Sequence, residues 1–500
     1  MIPFPRSEIA QSIPSRFEKQ VTAHPESLAV VNGERSLSYE ALNIQANRLA
    51  WDILSKNLKK GPVVCLCEQG VEFIVAILGI LKSGSFYVPM DPQASDGSII
   101  GLLSQIDPTC IVVDQRGLER LKSLPKTTCP TMSLESIDSG LPLHNPSLDI
   151  SPDSLAYIYF TTGTTGEPKG VVDNHRNVLH NVMRYTNSLS ITSSDRLTLL
   201  HAPNLSACVS SQFGALLNRA CVFPNRIQAE TTDKFSEWLV DKAITIYHSI
   251  PQLIHFALDE TTKHSSLRWI RLEGNQAQPK DLEVYQRFAP PTCRLVNGFG
   301  TTETGICSQF FFDKSSELPE DSVPIGYPVE DMEAVVLNKD LSSETGEIAV
   351  RSHFLSIGYW KNDVLTKQAF QTDPGNENLR TWMTGDLGGI GKDGSLVLSG
   401  RKTEGNGTHT RPPAHPTSTK PLTELEKQLA KYWSDLLNQE TINMEDNFIE
   451  LGGDSLKAIR LMNRIKAEFS IQLSLREILD NGTLEALTRL LNQRMNDSKS

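Results

Sequence analysis

The stretch LAYIYFTTGTTGEPKGVV, residues 155–172, decides how the rest of this chain is read. Its first half is apolar and aromatic and reads as a buried strand, after which the composition turns to hydroxyl residues, glycines and one lysine. Such a loop suits phosphates. Gly163, Gly166 and Gly170 let the backbone approach an anion, Thr161, Thr162, Thr164 and Thr165 supply hydrogen-bond donors, and Lys169 adds charge. It is not a P-loop, because Pro168 precedes Lys169 and Gly170 follows it. Taken alone, a glycine-threonine cluster of this kind is more often a surface turn.

Outward from this loop, residues 20 to 400 alternate short β-rich runs (Leu28 to Val31, Val63 to Leu66, Cys110 to Val113, Leu197 to Leu200, Ile348 to Val350) with helical stretches such as Tyr39 to Lys56, an α/β pattern. At residue 402 the chain changes to KTEGNGTHTRPPAHPTSTKP, which offers nothing to bury and reads as a linker over 402–420. Fully extended, it reaches at most about 70 Å. From Pro421 the pattern is helical. Thr423 and Glu426 fit a capping box, with Leu425, Leu429, Trp433 and Leu436 on one face; a second helix should turn Leu456, Ile459, Met462 and Ile465 inward, and a last one should run from about Leu484 to Leu491.

Composition excludes several classes. With 500 residues, 39% hydrophobic and 21% charged, the chain has the make-up of two or three globular units. Its net charge of -11 disfavours nucleic acid as a partner. The eight cysteines show no paired zinc spacing, and the longest apolar run, Phe73 to Leu81, is too short to span a bilayer. The N-terminus MIPFPRSEIAQ lacks the pattern of an export signal, so a soluble protein of the reducing cytoplasm, without a membrane partner, is expected.

The segment FTTGTTGEPKG resembles the hallmark loop of the adenylate-forming (AMP-binding) superfamily. LSYEALNIQANRLA (37–50), LKSGSFYVPMDP (81–92), NGFGTTETG (297–305), GEIAVRS (346–352) and MTGDL (383–387) fall in that family's order, most like the adenylation domains of nonribosomal peptide synthetases. The resemblance implies an α/β large domain over 1–401, of stacked sheets with flanking helices plus a small β-barrel. By the same resemblance, residues 161 to 169 hold the phosphates of ATP; Asn297, Gly298, Phe299, Gly300 and Thr301 line the adenine; Glu303 holds Mg2+; Asp386 accepts the ribose hydroxyls; and Arg401 completes the nucleotide site. Thr162, Lys169 and Glu303 are the implied catalytic residues. A carboxylate suits the ribose because its two oxygens can take both hydroxyl hydrogen bonds. Read in isolation, Asp386 is a turn residue.

DNFIELGGDSLKAIRLMNRI (446–465) is similar to the attachment motif of peptidyl and acyl carrier proteins, which implies an all-α four-helix carrier bundle over 421–500, with 4'-phosphopantetheine on Ser455 placed there by a phosphopantetheinyl transferase. The physics agrees, since a helix N-terminus favours a phosphate. A plain helix cap is the bland alternative. Residues 453 to 456 also spell GDSL, used by some serine esterases, but no histidine follows His415 to act as base, and Lys457 stands where a GxSxG elbow needs glycine.

The chain departs from the family twice. The mobile subdomain that carries a catalytic lysine between large domain and carrier has no counterpart: after Gly400 and Arg401 the family's aspartate position is Thr403, and the linker follows. Losing a preorganised cation costs a few kcal/mol, about two or three orders of magnitude in rate. In the substrate pocket, aligned through ACVSSQFGALLNRA (207–220), the aspartate that holds an α-amine is replaced by Ser206, with His248, Arg271, Glu273, Gly298, Ile306 and Cys307 as the other lining positions. Three readings stay open: an acid without an α-amine, an amine held by Glu273, or an Arg271–Glu273 pair in a pocket that selects nothing.

Two functions compete. In one, the protein adenylates a small carboxylic or amino acid and loads it on its own carrier. In the other, the large domain is an impaired scaffold and the carrier is loaded in trans. No HHxxxDG condensation motif and no thioesterase elbow occurs, so downstream synthetase or tailoring enzymes are the expected partners.

Overall fold

In the computed structural model, all residues are described except 1–3, 126–127, 163–167, 228–233, 338–344, 402–422, 438–441, 445, 449–450, 452–454, 470, 472, 474–476, 479–480 and 498–500, together with a few side chains that include those of 162, 455, 456 and 459. Two compact units emerge: Met1–Arg226, Glu237–Pro251 and Leu258–Lys402 in one, and Ile227–Ser236, Gln252–Ala257 and Thr403–Ser500 in the other.

The first unit is built on three sheets. A nine-stranded sheet runs, in spatial order, Tyr327–Pro328, Gly305–Phe312, Arg294–Thr301, Trp269–Leu272, Ile246–Ser249, Arg196–Leu199, Cys221–Pro224, Leu28–Asn32 and Arg35–Ser38. The strands from Arg294–Thr301 through Leu28–Asn32 in this order run parallel, and Trp269–Leu272, Ile246–Ser249, Arg196–Leu199 and Cys221–Pro224 are buried along nearly their whole length, so that even their polar members Arg271, His248 and Thr198 lie inside. A seven-stranded sheet runs Gly358–Tyr359, Pro168–Asn174, Leu155–Thr162, Phe86–Met90, Pro62–Leu66, Cys110–Val113 and Thr131–Ser133. Where the small barrel is expected lies a five-stranded sheet of Glu333–Leu337, Thr345–Ser352, Asn376–Ile390 and Phe370–Asp373, with Leu396–Arg401 also paired to Asn376–Ile390.

Several helices begin on a side-chain cap. Tyr39–Ser55 begins on Ser38, whose side chain accepts from the Ala41 amide, and stops one residue before the expected Lys56 because Lys56 is the cap and Asn57 takes a left-handed φ of 50°. The apolar run Phe73 to Leu81 lies within the helix Val71–Lys82, buried nearly all round. This explains its composition without a bilayer. Among the described residues no helix is long and apolar enough to cross a membrane, and no group of three or more His, Cys, Asp or Glu could hold a metal ion. All eight cysteines are free, and only Cys129 is not buried.

The second unit contains, among the described residues, the helices Glu424–Leu437, Ser455–Phe469 and Leu484–Asp497. The capping box forms: the Thr423 amide donates to Glu426 Oε2 at 2.6 Å and the Glu426 amide to Thr423 Oγ1 at 3.3 Å. Trp433 is fully buried with its ring 5.0 Å from Phe448, and Leu429, Leu437, Leu461, Met462, Ile465, Leu484, Leu487 and Leu491 complete the core. Burying each such side chain contributes about 1.5–3 kcal/mol. The second helix thus turns Ala458 and Leu461 inward beside Met462 and Ile465. The last helix runs six residues past Leu491, to Asp497.

Candidate functional site

The quoted stretch folds as a hairpin. Leu155–Thr162 pairs antiparallel with Pro168–Asn174, Thr161 opposite Lys169 and Thr162 opposite Pro168. Gly163, Thr164, Thr165 and Gly166, at its tip, lie outside the described residues, as does the Thr162 side chain. The outer strand is flanked by Gly358–Tyr359, where the Trp360 amide donates to the Gly170 carbonyl at 2.7 Å.

That pairing brings Tyr359 to the candidate site. Its hydroxyl donates to Glu303 Oε1 at 3.0 Å, Trp382 Nε1 lies 3.4 Å from the same hydroxyl, and Lys169 Nζ stands 5.9 Å from the ring centroid. Glu303 sits in the turn between Arg294–Thr301 and Gly305–Phe312, and its carbonyl accepts from the Ser356 amide at 2.9 Å. Its side chain is buried without an ion-pair partner among the described residues. Burial pushes the carboxyl above its usual range, against the Tyr359 hydrogen bond and the Lys169 charge. A carboxylate held so, next to a lysine and a phosphate-type loop, has the hard oxygen donors that Mg2+ takes.

Asn297 is buried in the same strand, and its Nδ2 donates to the Pro324 carbonyl at 2.8 Å. Gly298 lies against Arg271, where a Cβ would fall 2.4 Å from Nη2, so a larger residue there would displace the guanidinium from Glu273. Phe299, Gly300 and Thr301 follow, half-buried, toward the turn.

Asp386 occupies a bulge rather than a simple turn. Opposite Glu347 and Ala349, two residues apart, stand Leu387 and Met383, four apart, and Gly385 takes a φ of +74° that favours glycine. The bulge is pinned by Thr384, whose hydroxyl donates to the Ile348 carbonyl at 2.8 Å and accepts from the Asp386 amide at 3.0 Å. Asp386 faces Arg401 across the sheet, with Arg401 Nε 3.9 Å from Oδ1, too long for a hydrogen bond. Burial raises the Asp386 carboxyl, with Arg401 pulling the other way.

The proposed substrate-pocket positions form a charge-compensated cluster. Arg271, fully buried, donates from Nε to Glu273 Oε2 at 2.8 Å; Nη2 lies 2.8 Å from the same oxygen but is not aligned for a hydrogen bond. His248 Nε2 is 3.6 Å from that oxygen. Burial alone would raise the Glu273 carboxyl, but Arg271 and His248 hold it well below the carboxylate range. His248 Nδ1 is 2.8 Å from Ser211 Oγ and 3.3 Å from the Tyr185 hydroxyl. Ser206 Oγ is 2.8 Å from Thr302 Oγ1. Ile306 is buried and its carbonyl accepts from Arg184 Nη1 at 2.6 Å, while buried Cys307 has its thiol pushed up to about 12.

Sequence reasoning passed over Tyr359, Thr302, Tyr185 and His201. Tyr359 stands in none of the quoted motifs, and only its strand pairing brings it to Glu303. Ser455 begins the helix Ser455–Phe469; Gly452, Gly453, Asp454 and the Ser455 side chain lie outside the described residues.

The fold and these two units define an adenylate-forming domain joined to a carrier, and comparison with known proteins agrees. Residues 17–360 match the AMP-binding enzyme family, and residues 427–491 match the phosphopantetheine attachment site family. The chain therefore belongs to the AMP-binding enzyme family, joined here to a phosphopantetheine attachment domain. Tyrocidine synthase 1 of Brevibacillus parabrevis is 26% identical over 578 residues, covering 95% of this chain and 52% of the relative. Malpinin synthetase of Mortierella alpina is 30% identical over 400 residues, covering 77% of this chain and 5% of the relative. The chain thus spans about half, or less, of the relatives it matches. A crystal structure of the nonribosomal peptide synthetase FmoA3 in its AMPPNP-bound form superimposes with a TM-score of 0.72 at 26% identity, covering 96% of this chain and 50% of that one.

The subdomain between large domain and carrier is missing. The alignment with tyrocidine synthase 1 runs over 578 residues yet draws on 95% of a 500-residue chain, so about a hundred of its positions have no counterpart here. In fold, the N-terminal subdomain of Klebsiella oxytoca NpsA (TM-score 0.68, 21% identity) is covered over 98% of its length by 78% of this chain.

Proposed function

We propose that this protein activates a small carboxylic acid with ATP and loads it on the phosphopantetheine of its own Ser455, as a loading unit of nonribosomal peptide-type biosynthesis. The domains are a large adenylation domain over 1–401, a connecting segment over 402–420 and a carrier over 421–500. The observation that carries the reading is the convergence of Glu303, Tyr359 and Lys169 on the base of the glycine-threonine hairpin. Glu303 would hold Mg2+, which supplies charge neutralisation between two anions. Lys169 and the threonines of the loop bind and orient the phosphates. Asp386 receives the ribose hydroxyls, its bulge aiming the carboxylate, with Arg401 beside it. Asn297, Gly298, Phe299, Gly300 and Thr301 form the wall for the adenine.

In the reaction a carboxylate oxygen bonds to the α-phosphorus, the bond from that phosphorus to the bridging oxygen breaks, and pyrophosphate leaves. A thiol sulfur then bonds to the acyl carbon, AMP departs, and the thiol proton is released. The pantetheine arm supplies that thiol. Ser206, hydrogen-bonded to Thr302, carries no charge, and Glu273 is already neutralised by Arg271, so among the described residues of the pocket an α-ammonium group would find no free anion. The acid therefore lacks an α-amine. Lining by Gly298, Ile306 and Cys307 keeps the remaining wall small or apolar.

One observation favours a second reading. Without the subdomain and its lysine, the large domain would be an impaired scaffold and the carrier would be loaded in trans. Pyrophosphate exchange by the isolated chain separates the two: robust exchange with any carboxylic acid removes the scaffold reading, and none with a broad acid pool removes self-loading. A phosphopantetheinyl transferase and downstream synthetase enzymes are the partners either way. Eight free cysteines fit a reducing compartment such as the cytoplasm.

A further inference from the structure

Several buried polar atoms without a hydrogen-bond partner gather around the acid pocket. They are both ring nitrogens of His201, and beside them Nε2 of His248 and Nη2 of Arg271, which lie near the Glu273 carboxylate without an aligned hydrogen bond. A buried polar group left without a partner is costly, so native proteins keep few of them without a ligand or a water to satisfy them. His201 is the most telling. It is only 7% exposed, its ring centroid stands 4.9 Å from that of His248, and its carbonyl, not its ring, is occupied, by Gln69 Nε2 at 3.0 Å.

The charges and tautomers around it limit what can meet it. Arg271 and Glu273 cancel each other. His248 Nδ1 faces the hydroxyls of Ser211 and Tyr185, and its Nε2 faces the Glu273 carboxylate, which fits a proton on Nε2. Burial, and then the neighbouring His248, hold His201 down to about 3, so its imidazole is neutral and offers one donor and one acceptor. A hydroxyl matches both. An ammonium has only donors, and among the described residues it would be buried beside a carboxylate, Glu273, already paired with Arg271.

We infer that the acid taken by this pocket carries, away from its reacting carboxyl, an uncharged hydrogen-bonding group of the hydroxyl class that engages the His201 ring next to His248. His201 is then a specificity residue of the candidate pocket. The inference rests on the adenylation reading and narrows its substrate class to hydroxylated acids, aliphatic or aromatic.

The test is binding of acyl sulfamoyladenosines to the full chain by calorimetry, in two series: phenylacetyl, 4-hydroxyphenylacetyl and 4-(aminomethyl)phenylacetyl, and butanoyl, 4-hydroxybutanoyl and 4-aminobutanoyl. In at least one series the hydroxyl member should bind about tenfold tighter than both the unsubstituted and the amino member, the worth of one well-made hydrogen bond. H201L should erase that preference and H201Q, which keeps a donor and an acceptor, should retain most of it. The preference is a ratio between ligands on one variant, so a general loss of affinity does not mimic it. Equal binding of hydroxyl and unsubstituted members in both series, tighter binding of an amino member, or a preference that survives in H201L overturns the inference while leaving nucleotide binding intact. If sulfamoyladenosine itself does not bind, the adenylation reading falls first, and this inference with it.

Discussion

The nucleotide side and the acid pocket share the strand Arg294–Thr301 and its neighbours, yet they treat charge in opposite ways. On the nucleotide side, Glu303 touches a phenol and Asp386 lies at 3.9 Å from Arg401; burial raises both carboxyls, and no short ion pair quenches either. In the acid pocket, Glu273 is bonded to Arg271 and flanked by His248, and is held low. Carboxylates kept free at an energetic cost are available to a cation or to hydroxyls. One neutralised from within is available to neither. On the proposed reading, the contrast teaches that the candidate nucleotide side keeps carboxylates open for polyphosphate and Mg2+ while the candidate acid pocket offers none to an amine.

The largest effect concerns the carrier that both regions would serve. S455A should abolish the pantetheine adduct completely, as read by intact mass after treatment with a phosphopantetheinyl transferase and CoA; an adduct that persists would move the attachment site elsewhere. Next comes the acid pocket. R271M would strand the Glu273 carboxylate and should cost about 3–5 kcal/mol in urea unfolding, whereas R271M combined with E273L should recover most of it. A single-variant loss under about 1 kcal/mol would mean the pair is open to solvent or ligand, and the contrast would break.

D386N should then weaken ATP binding by about ten- to a hundredfold in calorimetry, because charge-assisted hydrogen bonds to two hydroxyls are lost. The smallest effect sharpens the comparison through pH. Glu303 titrates above its unfolded value, so its contribution to stability is full below the unfolded pKa and fades as pH rises through the folded one. E303Q should therefore stabilise the fold at neutral pH and not near pH 4, while weakening Mg2+-dependent ATP binding. E273Q should show no such gain, since its carboxylate is paired.

How much of this was legible in the sequence depended on the range of the contact. The strand-hairpin stretch, the capping box of Thr423 and Glu426 and the inward face of Leu429 and Trp433 are local, and periodicity and residue type carry them. Asp386 was visible, but its bulge was not, because the positive φ of Gly385 and the register slip belong to the pairing of two strands. Tyr359 reaches Glu303 across 56 residues, and Ser206 meets Thr302 across 96. No window of sequence brings such pairs together. His201 left no signal beyond a histidine after an apolar strand, and only its unpartnered burial beside His248 marks it.

The most direct test of self-loading is intact mass of the holo chain incubated with ATP, Mg2+ and a pool of carboxylic acids that includes hydroxylated members. An ATP-dependent acyl adduct, absent from S455A and from K169A, is the result this account predicts, and its added mass identifies the acid. A holo carrier that stays unacylated with every acid, yet becomes acylated when another synthetase is supplied, would contradict it.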